Sequence, residues 1–150
     1  MAEKIDLNTL PKGLTKEEFT ALPNFKKIRS FFTWAGVVSI GSGILICSEI
    51  GKTAESVFQA GGSYDDMSRL WAVKLNMLFM IFDIVMGILL LKKKTTKMAY
   101  ILAITELVYI VLVLVLGGTI GIGAIAFLLA LAGAIRIDKK WKQYQEISGG

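Results

Sequence analysis

Residues 75–116 read LNMLFMIFDIVMGILLL (75–91), KKKTTK (92–97) and MAYILAITELVYIVLVLVL (98–116). Two apolar runs flank a short basic loop, and each run carries one acid at its centre. Asp83 lies nine residues before Lys92, and Glu106 lies nine residues after Lys97. At a helical rise of ~1.5 Å per residue, both acids stand roughly 13 Å from that loop. A hydrocarbon layer is ~30 Å thick, so this depth is close to its midplane. A charged side chain there costs at least ~3 kcal/mol on insertion scales. The two acids are therefore the first candidates for a functional centre.

Working outward, two further runs contain no charge, Ser30 to Ser48 and Gly117 to Ile135. The spacing predicts four membrane helices, at about 30–48, 75–91, 98–116 and 118–135. None has the polar stripe that a soluble bundle helix keeps. The expected fold is an all-α membrane protein, a four-transmembrane-helix bundle. Residues 1–29 form an N-terminal segment, 30–136 the transmembrane domain with an outer loop at 49–74, and 137–150 a tail. The first 30 residues are polar and lack an apolar core, so no cleavable signal peptide is expected and the first span directs insertion.

The basic residues set the expected orientation. Residues 1–29, the 92–97 loop and the tail from Arg136 together hold fourteen Lys and Arg, against three in the 49–74 loop. The positive-inside rule places both termini in the cytoplasm. The net charge of +5 is thus a topology signal, and no nucleic-acid partner is expected because the basic residues flank apolar spans.

In the lead-in, Thr15 and Glu18 have the spacing of a capping box for a short helix ending before Pro23, and Asn24 is placed to cap the next. Phe25, Ile28, Phe31 and Phe32 recur at helical spacing beside Lys26, Lys27 and Arg29, the pattern of an amphipathic juxtamembrane stretch. In the outer loop, Gly61-Gly62 separates a helix near 52–60 from one starting at Ser63 or Tyr64 and running through Trp71 into the second span. Trp71, Tyr100 and Trp141 suit interfacial belts. Tyr144 to Ile147 fits a tyrosine-based sorting pattern.

Each span has a face of small or polar residues suited to close packing. Gly36, Ser39, Gly43 and Cys47 mark the first. Asn76, Met80, Asp83 and Gly87 mark the second, and Ala99, Ala103, Glu106, Tyr109 and Val113 the third. Ala126, Ala130 and Ala134 mark the fourth. The short 92–97 loop and the Gly117-Gly118 turn make successive helices antiparallel neighbours.

Absences prune the chemistry. The chain has no histidine and one cysteine, Cys47. Haem ligation through histidine, a histidine proton relay and a paired-cysteine redox centre all need residues that are missing. No phosphate-binding glycine loop or nucleophile elbow occurs. The chain is therefore read as non-enzymatic, without catalytic residues, metal or cofactor.

No Lys or Arg lies within the central part of any span. Asp83 and Glu106 must then be satisfied by a proton, a bound cation or a basic residue of another chain, with Asn76, Tyr109, Ser39 and Thr105 as candidate helpers.

The entry ALPNFKKIR (21–29), the acid in the second span and the exit KKWKQY (139–144) resemble uncharacterised small four-span membrane proteins of Gram-positive bacteria. That resemblance implies a bacterial cytoplasmic membrane and no particular activity.

The leading functional expectation is an accessory or partner-binding membrane protein, a subunit or immunity-type protein, that uses the midplane carboxylates for assembly. The alternative is a small dimeric proton- or cation-coupled transporter using Asp83 and Glu106. A third reading is an endolysosomal four-span protein. The expected partners are the lipid bilayer and either another membrane protein or a second copy of the chain.

Overall fold

The computed structural model describes residues 5–149, so Met1–Lys4 and Gly150 of the expected end segments lie outside the described residues. The described chain is helical, with no strand among those residues. A 3-10 turn at Leu7–Thr9 leads to α1 (Lys16–Ala21), and a second at Pro23–Phe25 leads to α2 (Lys26–Gln59). There follow α3 (Tyr64–Arg69), α4 (Trp71–Lys93), α5 (Thr96–Val115) and α6 (Gly123–Ser148). Three helices, α2, α4 and α5, are long and apolar enough to cross a membrane. Along them Ile44, Met77, Ile81, Val85, Ile104 and Val111 face outward and are exposed. An apolar belt of this kind suits lipid, because soluble monomers rarely expose large contiguous apolar surfaces.

The most extensive packing joins α2 to α4, followed by α5 with α6 and α2 with α6. Contact between α4 and α5 is smaller, although only Lys94 and Thr95 separate them, because Lys92, Lys93, Thr96 and Lys97 of the expected loop are helical. The α2–α4 seam is made by glycine. A Cβ on Gly87 would stand 2.7 Å from the Gly36 carbonyl oxygen, and one on Gly36 would stand 2.9 Å from the Gly87 carbonyl oxygen. Only a bare backbone allows this reciprocal approach. Ala126, Ala130 and Ala134 of α6 are all fully buried, so the small-residue stripe faces the interior.

Several expected boundaries differ. The first apolar span, expected at 30–48, lies inside one continuous helix of 34 residues, and 49–59 of the expected outer loop is helical. Lys52, Ala54, Glu55 and Gln59 favour a helix, Gly51 alone does not end it, and the first strong stop is Gly61, at φ +80. Ser63 starts α3 with a capping box to Asp66, but Leu70 is extended and breaks the helix before Trp71. Phe25 precedes α2 in the capping position without a side-chain bond, so Asn24 does not cap it.

The fourth span was expected at 118–135, yet residues 118–122 are not in α6. A Schellman turn ends α5: Gly118 N–H donates to the Val113 carbonyl and Gly117 N–H to Leu114, with Gly117 at φ +77. Thr119, Ile120 and Gly121 then take no regular structure. The uncharged part of α6 is consequently Gly123–Ile135, or roughly 20 Å of helix.

At the end of the bundle holding the 92–97 loop, the chain builds a cap. Phe25 and Phe32 are fully buried in protein, so the juxtamembrane aromatics do not form a lipid-facing stripe. Phe19 packs tilted on Phe25 and Tyr144 and edge-to-face on Trp141, at 4.5, 5.1 and 5.2 Å between ring centroids. Lys16 pairs with Asp138 at 2.5 Å, and the Tyr100 hydroxyl donates to the same carboxylate at 2.6 Å. Tyr100 and Trp141 thus serve this cap, whereas Trp71 is 75% exposed. Tyr144 is only 3% exposed. Its hydroxyl donates to the Pro11 carbonyl and accepts from Leu14 N–H. The tyrosine of the expected sorting pattern is therefore enclosed.

Candidate functional site

Asp83 comes from the middle of α4 and Glu106 from the middle of α5, and both are 0% exposed. Each is ten residues from the end of its helix at the basic turn, Lys93 for Asp83 and Thr96 for Glu106, which puts the two carboxyl groups roughly level at ~15 Å. They lie beside one another, with the Ser42 hydroxyl of α2 next to Asp83. The start of α6 closes the group, because Gly123 lies so tightly against Glu106 Oε2 that any Cβ there would overlap it. Asp83 and Glu106 are enclosed by side chains and backbone from α2, α4, α5 and α6.

No hydrogen bond of good geometry reaches the four carboxylate oxygens, Asp83 Oδ1 and Oδ2 and Glu106 Oε1 and Oε2, and the Ser42 hydroxyl beside Asp83 is the one neighbouring donor that could reach them. Ionised carboxylates only accept hydrogen bonds, so two of them side by side cannot satisfy each other. Leaving a buried acceptor unpaired costs about 1–3 kcal/mol, and more for a charged one. A single proton shared between the two would supply the missing donor. Ser39 does not help the carboxylate: its hydroxyl donates to the Asp83 main-chain carbonyl at 2.8 Å and pins α2 to α4. Thr105 donates to its own helix, to Ile101 at 2.8 Å.

The opposite end of the bundle, away from the basic loop, is open. A cavity of about 260 Å³ is bounded by Ser42, Glu49, Tyr109, Val113, Thr119 and Gly123, among others. A second, of about 360 Å³, adjoins it and shares Glu49, Tyr109, Val113 and Thr119. Asn76 lines the second cavity and accepts from the Tyr109 hydroxyl at 3.2 Å, while Phe79 packs on the Tyr109 ring at 4.7 Å. The irregular Thr119–Ile122 segment forms part of the first wall. The expected site residues Asp83, Glu106, Asn76 and Tyr109 are thus gathered on one side of the interior, with the acids beneath the cavities.

Sequence reasoning missed Ser42, Glu49 and Thr119. It also placed Cys47 on the packing face of the first span, and Cys47 is exposed. The buried positions of α2 run Gly36, Ser39, Gly43, Ile46. Alternating three- and four-residue steps keep one face of an α-helix inward, and Cys47 lies one residue off that line. The same spacing would have brought Ser42 inward. Among the described residues no group of three His, Cys, Asp or Glu side chains could hold a metal ion.

Comparison with protein-family models, with curated proteins and with solved structures finds no match for this chain. Its class rests on the molecule itself: an all-helical protein with three helices able to cross a membrane.

Proposed function

We propose that this chain crosses a cell membrane four times, with both termini in the cytoplasm, and that Asp83 and Glu106 form a proton-binding centre for proton- or cation-coupled transport. The orientation is supported by the fourteen-to-three partition of basic residues. The fourth crossing pairs the apolar half of α6 with the non-helical 117–122 segment. Irregular backbone at membrane depth is tolerated where it lines a cavity, and Thr119–Ile122 do so.

One observation carries the functional reading: two enclosed carboxyl groups side by side, with the Ser42 hydroxyl as the one neighbouring donor, behind Ser42 and Gly123 of a cavity that opens at one end. A proton entering from the cavity satisfies them, and its departure leaves a charge that a second cation can meet. Toward the other end, Phe32, Ala35, Leu90, Leu102, Ala134 and Ile137 are fully buried and close the way with apolar side chains.

The accessory reading needs another chain's Lys or Arg at the same carboxylates. Neither acid reaches the surface of the bundle, so support for that reading is weaker than the sequence alone suggested. The pair is also complete within one chain, so the proton site itself needs no second copy.

The test is proton flux in liposomes, compared between the purified protein and the double variant Asp83→Asn, Glu106→Gln. Flux that disappears in the folded variant is the expected result. Absence of flux in both, together with loss of a co-purifying membrane protein from the variant, would return the pair to an assembly role.

A further inference from the structure

We propose that the two adjoining cavities above the carboxyl pair bind a small organic cation, an alkyl- or arylammonium with an apolar body. This rests on the reading of Asp83 and Glu106 as a proton-binding centre and names the species that would exchange with the proton.

Three properties of the cavities select that ligand class. The first is sign. Glu49 is the one charged side chain lining either cavity among the described residues, and no Lys or Arg joins it. Glu106 stands directly against Gly123 and beside Ser42, both of which line the first cavity. An anion would meet an acid there and no cationic side chain in the lining.

The second property is size. Cavities of about 260 and 360 Å³ far exceed the space of ~10–15 Å³ that one water-sized sphere occupies. They fall near the lower end of small-molecule sites, roughly 300–1,000 Å³. A bare metal ion would leave most of this space unfilled.

The third is wall chemistry. Leu45, Ile110, Leu75, Leu112 and Leu116 supply apolar surface. The Tyr109 ring lies between the cavities, and an ammonium over an aromatic face is attracted by the ring's quadrupole. An apolar body with a positive head matches this wall better than a strongly hydrated ion.

Glu49 already pairs with Lys52 at 2.7 Å, but that pair is exposed and one helical turn long. Such exposed pairs contribute little, so a ligand cation can displace Lys52. The other titratable group facing the carboxyl pair is Tyr109 of α5. The facing residues from α2 and α6, Ser42 and Gly123, carry no charge. A cation bound here therefore disfavours the proton on the carboxyl pair, and by linkage the proton disfavours the cation by the same factor.

The experiment is calorimetric titration of the full chain in nanodiscs with benzyltrimethylammonium and with its neutral isostere neopentylbenzene, using empty nanodiscs as the blank. The charged probe is expected to bind at least about tenfold more tightly than the neutral one. Binding should weaken severalfold in Glu49→Gln, a surface change that leaves the fold intact, and also in Val113→Trp, which sets a bulkier side chain in the wall that the two cavities share. Equal affinity for the two probes, no binding, or binding unchanged in both variants overturns the proposal. Repeating the titration in buffers of different ionisation enthalpy reads proton release. Binding without release keeps the cation site and removes the coupling to Asp83 and Glu106. Proton flux in liposomes without ammonium binding removes the cation site and keeps the proton centre.

Discussion

At Gly123 one methyl group would decide where the Glu106 carboxylate sits. The α6 backbone begins against that carboxylate, and a Cβ would occupy its space. Gly123→Ala is expected to lower stability by about 1–3 kcal/mol, the usual cost of overpacking. Thermal unfolding in detergent measures it. In a Glu106→Ala background the same substitution should cost markedly less, because the overlap is gone; equal costs in both backgrounds would mean that the contact does not matter. The depth of Asp83 and Glu106 was legible in the sequence, since it follows from counting residues from the basic loop. Ser42 was within reach of the helical spacing of α2, but the places of Glu49 and Gly123 were not legible, because helix rotation and the course of the 117–122 segment bring them there. Neither is encoded in an apolar run.

At the scale of the element, the cap of α1 was legible, whereas the Asn24 cap and the helix lengths were not. Thr15 and Glu18 form the expected capping box on α1, with Thr15 N–H and hydroxyl both donating to Glu18 Oε2 at 2.8 Å. Those two bonds hold the Glu18 carboxyl below its ordinary range. A depressed folded value means that the contribution is complete above the unfolded value and is lost as pH falls through the folded one. Hydrogen exchange of residues 16–21 should therefore accelerate as pH is lowered through and below the ordinary carboxylate range, after correction for intrinsic rates. Glu18→Gln should flatten that dependence. By contrast, α2 runs well past its apolar stretch. Hydropathy marks where a helix leaves lipid, whereas the helix itself continues until Gly61 permits a left-handed turn. The fourth span failed in the other direction, because Gly117-Gly118 ends α5 and the apolar residues up to Ile122 remain outside α6.

At the scale of the molecule, the bundle has one open end and one sealed end. Opposite the cavities, Leu7, Phe19 and Phe25 from the lead-in bury themselves against the last turns of α6. Tyr144 ties this cap through its bonds to Pro11 and Leu14. Tyr144→Phe removes both bonds while keeping the ring, and is expected to destabilise the cap by about 1–3 kcal/mol. Limited proteolysis should then cut within residues 5–22 sooner than in the unaltered protein, with the membrane helices unaffected. A cleavage rate equal to that of the unaltered protein would show that the aromatic stack alone holds the cap.

The same cap has a consequence for how the molecule is made. Leu14 and Tyr144 are 130 residues apart, and Pro11 and Tyr144 are 133 apart. Translation delivers the first member of each pair long before the second. The lead-in must wait, without its partners, while every apolar helix is synthesised and inserted. Contacts of such sequence separation form late. The basic end can thus close only after the last turns of α6 have left the ribosome.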